Sequence, residues 1–415
     1  MTNEVHHAEA VASQRVRILF VHHAHDPGGA VRSLAMLVAG LDKQKLEPIV
    51  VIPDRPGSDA VRHLLEVAGA KVVAERHVRP FHGSTVVPCA TLREKIYSLV
   101  GFPLLALLAA KLVRQIRPDI VHLNSTSVIA AAAGVRMSGM RTPVIAHVRE
   151  PLLSSPWGRL LAALNRKFVD YFVSIDEAGL RSLEPPIVRG SVIFNFVDAA
   201  RFRPDEARRA ALRRAQGWNE DDIVFLSLAR ITPANGALEL ARFIHAHNDR
   251  LNARARFAIA GFEPEGGPYQ QQVRDAIARS DRCDAIAFTH DAAGLIDAAD
   301  VIVAPFTVPH SARSVFEGAA MGKPALVTRL SNLLELIREG ETGFSYDMDC
   351  PQELIDSVNR LCDDGTRESL SDAAFRFGVE EFGAEANVAR TVAVYHEMLA
   401  ALSEGGAKIG VEGRQ

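Results

Sequence analysis

Strand-length runs of apolar residues alternate with stretches of helical spacing along most of this chain. The runs in the first half are RILFVHH (17–23), PIVVI (48–52), KVVA (71–74), DIVHL (119–123), PVIAH (143–147), DYFVSI (170–175) and SVIF (191–194). A strand that is apolar on both faces is buried on both faces, and parallel strands need helical crossovers between them. The pattern therefore predicts a parallel sheet covered by helices on both sides.

The polar, arginine-rich stretch 198–220 interrupts this alternation, which then starts again. The second set of runs is DIVFLSLAR (222–230), RFAIAG (256–261), AIAFT (285–289), DVIVAP (300–305) and PALVT (324–328). A chain of 415 residues is also long enough for two domains. We predict an α/β fold with two Rossmann-like, doubly wound parallel-sheet domains over residues 16–198 and 199–380.

The two ends of the chain carry different signals. Residues 381–402 have the apolar spacing of a helix, which we expect to pack back toward the first domain. Residues 403–415 have the composition of a disordered tail. Residues 1–15 carry acids and lack the apolar core of a signal peptide, so we expect a mobile leader. The four cysteines form no Cys-x-x-Cys pair, which indicates neither a disulfide framework nor a zinc site and favours the cytoplasm.

Charge is distributed unevenly between the two halves. Lys and Arg outnumber Asp and Glu in the first 200 residues, and the balance is reversed in the remainder. A basic first domain favours an anionic acceptor or contact with an anionic membrane surface. Nucleic acid is not expected as a partner, because the sequence has no Lys/Arg block with interleaved aromatic residues.

The region 92–117 has a broad apolar stretch with basic residues at both ends. Its longest apolar run, 96–110, is shorter than the roughly 20 residues that a membrane-spanning helix needs, so no transmembrane segment is predicted. Core packing is favoured, since helices that cover a parallel sheet are themselves apolar. The alternative is a helix lying on a membrane, which would indicate a lipid-linked acceptor and a location at the inner face of the cell membrane.

Ligands of open parallel sheets bind outside the carboxyl ends of the strands, so the loops at those ends are the first candidate sites. Gly28 and Gly29 follow the first predicted strand at a helix start, where backbone N–H groups and the helix dipole attract an anion. The alternative is a tight turn that needs glycine only for its backbone angles.

Two side chains in the second half are candidates for binding a ligand. Arg230 directly follows a strand, so its guanidinium can grip a diphosphate with two parallel hydrogen bonds, or it is simply solvated. Glu317 lies in a helix among apolar neighbours, so its carboxylate either pairs with a ligand hydroxyl or faces solvent.

The order and spacing of these loops resemble the family 4 glycosyltransferases of GT-B fold, over roughly residues 16–400. The pieces are HHAHDPGGAVRSLAML (22–37), RPDIVHLNS (117–125), VIAHVREPL (144–152), VIFNFVDAARFRP (192–204), LARITPANG (228–236), IAGFEPEG (259–266), ADVIVAPF (299–306), the Glu317 helix and EGETGF (339–344). The resemblance implies two domains that face a central cleft. It also implies retaining transfer of a sugar from a nucleotide diphosphate sugar to a hydroxyl of a sugar or lipid-linked acceptor, in polysaccharide, lipopolysaccharide or glycolipid assembly.

The resemblance further implies that no cofactor or metal takes part, because the family aims an arginine, a lysine and a helix N-terminus at the leaving diphosphate. The resemblance assigns Arg230 to binding the donor phosphates and Glu317 to binding the donor ribose. These two residues and His147 are the predicted catalytic residues. His147 matches the position that contacts the transferred sugar or acceptor, although a structural role is equally open. Glu150 lies just beyond it on the acceptor side.

The donor site carried over from the family contains further positions and two departures. Its members are Gly28, Gly29, Asn235, His290, His310, Ser311, Arg313, Ser314 and Val315. Asn235 stands where the family has a lysine, so a positive charge is missing that Arg230 or Arg313 would have to replace. Pro309 stands where the family has a glutamate that holds the donor sugar, and its neighbours His310 and Ser311 offer polar contacts instead.

No metal site is predicted. Asp347 and Asp349 form an Asp-x-Asp sequence, but they precede a helix start, where a short acid is expected to cap the helix. His22 and His23 are consecutive strand residues and point to opposite faces, so they cannot converge on one ion.

Two other functions are compatible with these residues. A non-catalytic GT-B partner would bind a nucleotide sugar without turnover, as Asn235 and Pro309 suggest. A nucleotide-sugar epimerase is also conceivable, because function resides in sites rather than in folds.

Overall fold

The computed structural model describes residues 15–26, 28–84, 91–309 and 311–408, with side chains up to Leu402. Apart from Arg15, the predicted leader lies outside the described residues, as do residues 409–415 of the predicted tail. Residues 403–408 are helical, so the last helix is longer than the sequence predicted.

The chain forms two compact units, and each is described by itself. The first unit contains residues 1–196 and 387–415, and the second contains 197–386. The first domain is therefore assembled from both ends of the chain.

A seven-stranded parallel sheet forms the centre of the first domain. Its strands are β1 (Val16–Val21), β2 (Leu46–Pro53), β3 (Lys71–Glu75), β4 (Ile120–Leu123), β5 (Val144–Val148), β6 (Tyr171–Ser174) and β7 (Gly190–Val192). The strand order β3-β2-β1-β4-β5-β6-β7 reverses direction between β1 and β4. Ligands of doubly wound sheets bind at such a switch point, outside the carboxyl ends of the strands.

Among the described residues before 197, six helices accompany this sheet. They are α1 (Gly29–Gly40), α2 (Ser58–Val67), α3 (Leu92–Ile116), α4 (Ile129–Ser138), α5 (Pro156–Phe168) and α6 (Glu177–Arg181). Side-chain caps fix several of their starts: Thr91 and Glu94 form a capping box on α3, and Ser155 and Asp176 accept backbone N–H groups of α5 and α6.

Helix α3 buries only part of its surface. Its most apolar 18-residue window is long and apolar enough to cross a membrane by composition, and 22% of that window is buried. Seven large apolar side chains are at least two-fifths exposed: Leu92, Ile96, Tyr97, Leu99, Val100, Leu104 and Leu107. Core packing therefore accounts for one face of α3 and leaves the opposite face apolar and exposed.

The buried face of α3 approaches α4 very closely. A Cβ built on Gly134 of α4 would lie 2.6 Å from the Ala109 Cβ and 2.8 Å from the Ala106 carbonyl oxygen. Small residues on both helices allow this approach, so α4 is the element that α3 contacts most closely.

The second domain contains a six-stranded parallel sheet. Its strands are β8 (Ile223–Leu228), β9 (Ala255–Phe262), β10 (Cys283–Ala287), β11 (Val301–Ala304), β12 (Ala325–Thr328) and β13 (Gly343–Tyr346). The order β10-β9-β8-β11-β12-β13 reverses between β8 and β11. The prediction of two doubly wound parallel sheets is confirmed, but β13 was missed, since it is only four residues long and pairs on one side with β12.

The described part of this domain contains eight helices, and a last helix follows them. They are α7 (Glu206–Gln216), α8 (Ala237–Ala246), α9 (Pro268–Ile277), α10 (Ala292–Ala298), α11 (Arg313–Ala319), α12 (Ser331–Leu334), α13 (Pro351–Leu361) and α14 (Asp364–Phe382), then α15 (Ala384–Lys408). Short 3-10 helices occur at Thr126–Val128 and Pro233–Asn235.

The arginine-rich stretch between the two sets of strands is structural. Arg208 donates to the buried Asp297 carboxylate at 2.9 Å, and Arg213 donates to Asp300 at 3.1 Å. These ion pairs fasten α7 to α10 and to the start of β11. The arginines therefore belong to the packing of the second domain.

The last helix completes the core of the first domain. Tyr395 of α15 is fully buried, and its hydroxyl lies 2.7 Å from Nδ1 of His122 on β4. Val388 of α15 packs on Gly40 at the end of α1, where an added Cβ would lie 2.7 Å from a Val388 methyl.

Two glycines test the contact between α3 and α4. We expect Gly134→Ala to destabilise the first domain by about 1 to 3 kcal/mol, because its Cβ meets backbone atoms that cannot rotate away. Gly101→Ala on α3, where no atom lies within 4 Å, should instead stabilise it by about 0.5 to 1 kcal/mol. Urea unfolding followed by Trp157 emission, in a Trp218→Phe background, measures both. Equal effects of the two substitutions would contradict the packing described.

Candidate functional site

Two loops at the switch point of the second domain are joined by hydrogen bonds. The Thr307 N–H donates to the Ala234 carbonyl at 3.0 Å, and the Thr307 hydroxyl donates to the Pro233 carbonyl at 3.0 Å. Gly236 has φ 67°, and a Cβ there would lie 1.7 Å from the Pro305 carbonyl oxygen. The loops after β8 and β11 therefore form one rigid edge, and only glycine fits at position 236.

Arg230 and Asn235 occupy the first of these loops in different ways. Arg230 directly follows β8 and is exposed. Asn235 is buried, and its side-chain amide donates a hydrogen bond to the Arg230 carbonyl oxygen. Asn235 therefore fixes the loop that carries Arg230, and its side chain does not project toward solvent as a lysine ammonium would.

Glu317 lies inside α11, beside Arg313 one turn earlier. The Glu317 side chain is 7% exposed, and its Oε1 accepts hydrogen bonds from Nε and Nη2 of Arg313 at 3.1 and 2.8 Å. Burial raises the pKa of the Glu317 carboxyl, and the charges of Arg313 and Arg201 oppose that shift. A buried, paired carboxylate excludes the alternative of a glutamate on a wet helix face.

Arg201 is a cation of this region that the sequence reasoning missed. Its Nη2 donates to the backbone carbonyl oxygen of His290, and its guanidinium lies 5.4 Å from the Phe202 ring centroid. Because its charge also acts on Glu317, Arg201 connects the end of β10 to α11 electrostatically. Arg201 precedes the first helix of the second domain, and the sequence there has no strand or turn pattern that would indicate a binding site.

The other predicted donor residues differ in accessibility. His290, Ser311 and Arg313 are exposed, whereas the Ser314 side chain is buried. His310 lies outside the described residues. Val315 is buried at 1% exposure, so its assignment to the donor site stays a prediction.

In the first domain, Gly28 and Gly29 begin α1 without a side-chain cap and without an acid in the first turn. Gly28 has φ −72°, and no atom lies within 4 Å of a Cβ built on Gly29. The backbone therefore does not need glycine for its angles, which argues against the tight-turn alternative. Open space beside uncapped N–H groups is what an anion requires.

A polar cluster lies behind this loop, at the ends of β1, β4 and β5. The Asn124 amide NH2 donates to Nδ1 of His22 at 2.9 Å and to the Ala30 carbonyl at 3.2 Å. Its Oδ1 accepts from Nη2 and Nε of Arg149 at 2.7 and 3.0 Å. Burial, with the neighbouring charges, lowers the pKa of His22 to about 3, and burial lowers that of Arg149 to about 10.

His147 is inside the domain. It is 3% exposed and stacks on His122 with ring centroids 5.6 Å apart. Among the described residues neither of its ring nitrogens has a hydrogen-bond partner, and both are shielded from solvent. Burial, with the positive charge of Arg149, holds the pKa of His147 well below its ordinary value. This position favours the structural alternative over direct contact with substrate.

Glu150 is buried beside hydroxyl groups. Its Oε1 accepts a hydrogen bond from the Ser125 hydroxyl at 3.1 Å. Burial raises the pKa of Glu150, whereas the Ser125 hydrogen bond and the Arg149 charge lower it. Arg149, Asn124 and Ser125 directly follow strands, and that position is the signal by which sequence reasoning could have singled them out.

The Asp-x-Asp sequence is arranged differently from the prediction. The N-cap of α13 is Cys350, and no side chain caps it. Asp347 instead accepts the Asp349 N–H at 2.9 Å, and its own N–H donates to Glu353 at 3.0 Å. The acids order the turn before the helix.

Two family descriptions match this chain in succession. "Glycosyltransferase Family 4" matches residues 27–201, and "Glycosyl transferases group 1" matches residues 208–377. Together they cover every strand of the two sheets except β1.

Individual relatives are distant but cover most of the chain. A GDP-mannose-dependent alpha-mannosyltransferase of Corynebacterium glutamicum is 24% identical over 352 residues, which cover 79% of each chain. A UDP-Gal:alpha-D-GlcNAc-diphosphoundecaprenol alpha-1,3-galactosyltransferase of Escherichia coli is 21% identical and covers 71% of this chain and 77% of its own.

Solved structures share the architecture. Anabaena HepE in complex with UDP superposes with a TM-score of 0.74 at 18% identity, covering 92% of this chain and 100% of its own. A glycosyltransferase from Rickettsia africae has the same TM-score at 16% identity. The successive family matches and this shared architecture establish that the chain belongs to the family 4 glycosyltransferases of GT-B fold.

Proposed function

We propose that this glycosyltransferase moves a hexose or N-acetylhexosamine, with retention, from a nucleotide diphosphate sugar to a hydroxyl of a sugar or lipid-linked acceptor. The observation that carries the proposal is the buried Glu317 carboxylate, which is paired with Arg313 and feels the charge of Arg201. The exposed Arg230 lies on the loop after β8, which hydrogen bonds join to the loop after β11. The relatives and neighbours support it, since their names include GDP-mannose, UDP-Gal and complexes with UDP and UDP-glucose.

The arginines are proposed to stabilise the leaving diphosphate without a metal or cofactor. When the bond from the anomeric carbon to the diphosphate oxygen breaks, negative charge grows on the diphosphate. At about 4 Å a pair of unit charges is worth on the order of 1 to 4 kcal/mol. Two guanidinium groups can therefore replace the positive charge of the family's lysine, where this chain has Asn235. Arg230 is exposed and suited to bind both phosphates in parallel.

Glu317 is proposed to hold the donor ribose. Both of its hydrogen bonds from Arg313 go to Oε1, so a ribose hydroxyl would donate to Oε2. A desolvated carboxylate accepts a hydroxyl strongly because water does not compete for it. Arg313 would keep the carboxylate ionised while it does so.

The first domain is proposed to bind the acceptor. Glu150 and Ser125 offer a buried carboxylate and hydroxyl just after the carboxyl ends of β5 and β4. The relatives' names support glycolipid or polysaccharide assembly, including that of lipopolysaccharide, as the setting. The exposed apolar face of α3 supports a cytoplasmic location at the inner face of the membrane.

A non-catalytic GT-B protein is the second candidate. It is favoured by Asn235, whose amide is used inside the loop, and by Pro309, which offers no carboxylate. Such a protein would bind the donor and release no product.

Arg230 provides the first test of the donor site. We expect Arg230→Ala to lower transfer by roughly 10²- to 10³-fold, the usual cost of removing one group that stabilises developing charge. Arg242→Ala, an exposed arginine on α8 of the same domain, should leave the rate unchanged. Product formation is measured with a panel of UDP-, GDP- and dTDP-sugars, with and without a chelator. Loss of activity on chelation would contradict the metal-independent mechanism.

Glu317 makes donor binding depend on pH. Its pKa is raised, and the ionised form is the one that accepts the ribose hydroxyl, so affinity for the donor should fall as pH is lowered through that pKa. Glu317→Gln should weaken binding by roughly 10- to 100-fold and flatten the pH dependence. Glu353→Gln, which breaks an exposed pair with Arg329, is the control. An unchanged pH profile in Glu317→Gln would exclude the assigned role.

The two departures from the family separate the candidate functions. If the chain is a transferase, the unaltered protein turns over, and Asn235→Lys with Pro309→Glu changes the rate only within one to three powers of ten. If it is a non-catalytic partner, only the double variant forms product. Single-turnover assays with radiolabelled donor distinguish the two.

A further inference from the structure

The first domain contains a cavity of about 410 Å³ between α3 and the sheet. Its size falls within the range of small-molecule binding pockets. Its walls are mostly apolar side chains of β1, β2, β4, α3 and α4, including Val21, Val51, Leu105, Leu108, Val121 and Ala131. Protein interiors are normally close-packed, and unfilled apolar space destabilises a fold in proportion to its volume. A space of this size and lining therefore indicates an apolar occupant.

The position of α3 explains why the space exists. Close contact between Gly134 and Ala109 fixes α3 against α4, while its leucines at 105 and 108 line the space between α3 and the sheet. The cavity is thus built by the same small-residue contact that holds the helix.

The polar side chains of the lining are spread along its length. Arg79, His77 and Lys111 supply basic groups, while Glu75 supplies one acid and Gln115 is neutral. The Arg79 guanidinium lies 5.1 Å from the Tyr97 ring centroid and donates to the Tyr97 hydroxyl, whereas Lys111 lies further along α3 by about 21 Å, at 1.5 Å per residue. His77 and Lys111 are exposed, so the cavity opens to solvent beside them. The ammonium of Lys111 at this opening favours an anionic headgroup.

The exposed face of α3 continues from this opening. Leu104 and Leu107 point outward one residue before Leu105 and Leu108, which line the cavity. Lys111 borders both surfaces. Helix α3 carries four basic residues and a single acid, Glu94, which is used in the capping box. A lipid chain leaving a membrane next to this face would meet apolar side chains before entering the cavity.

We propose that this cavity binds the single alkyl or prenyl chain of a lipid phosphate, with the phosphate at Lys111. The inference rests on the proposed function in one respect, because it identifies the acceptor as a single-chain lipid carrier. A cavity of this volume suits one chain, so a two-chain phospholipid is not its ligand.

Chain length tests the cavity directly. The full-length protein is titrated by calorimetry with alkyl phosphates from hexyl to hexadecyl, each below its micelle concentration and without vesicles. We expect affinity to rise roughly fourfold per added methylene and then to reach a plateau when the cavity is full. Alkyl trimethylammonium compounds of equal length should bind more weakly, and Lys111→Glu should remove that preference.

Matched variants separate the cavity from the outer face of α3. Ala131→Phe fills part of the cavity, so the affinity of this variant should reach its plateau at shorter alkyl chains. A thermal melt checks that the variant folds. Leu104→Ser with Leu107→Ser removes outer apolar surface and should leave the plateau unchanged. Donor hydrolysis in the same variants reports the transferase site separately.

Three results would overturn the proposal. The first is no binding at any chain length. The second is affinity that keeps rising without a plateau and is lost in Leu104→Ser with Leu107→Ser, which indicates adsorption to the outer face. The third is equal binding of dialkyl phosphatidic acid. If any of these results is found while donor hydrolysis is intact, lipid binding in the cavity is rejected and the proposed function stands. If the unaltered protein does not hydrolyse the donor, the proposed function is rejected.

Discussion

The contact between Gly236 and the Pro305 carbonyl is the constraint on which the donor loops depend. It brings the loop after β8 against the loop after β11, and the Thr307 hydrogen bonds keep them there. Because this edge is rigid, Arg230 and the α11 pair of Arg313 and Glu317 keep fixed positions relative to the sheet. Groups held in advance stabilise developing charge without the cost of reorganising.

The first domain uses buried polar groups for a similar purpose. Asn124 is bonded to His22, Ala30 and Arg149, so one amide ties the start of α1 to the ends of three strands. The imidazoles of His22 and His122 stay neutral at physiological pH because burial lowers the pKa of each to about 3. A buried network is costly unless its groups are paired, and here pairing fixes the edge at which an acceptor would bind.

Strands and their order along the chain could be predicted because each buried strand is a continuous apolar run. Strand β13 could not, since its sequence GFSY is not a continuous apolar run. The exposure of one face of α3 could not be predicted either, because the sequence pattern of an apolar helix is the same whether the helix packs on a sheet or on a lipid.

At the candidate site, sequence position predicted which residues follow strands but not which way they point. Glu317 was identified correctly as a carboxylate among apolar residues, although its Arg313 partner one turn away was seen only as a possible substitute for lysine. Val315 and His147 follow the family pattern, yet three-dimensional packing buries both. Arg201 could not be found, because its relation to His290 and Glu317 exists only after the second domain has folded.

The discontinuous first domain has a consequence for biosynthesis. Residues 1–196 emerge from the ribosome long before residues 387–415, which belong to the same unit. Domains generally fold as units and N-terminal first, but here the surface that receives Tyr395 stays uncovered while the whole second domain is translated. The nascent chain must therefore carry an unfinished core through most of its synthesis, and a premature stop near the end of the gene would damage the domain that was made first.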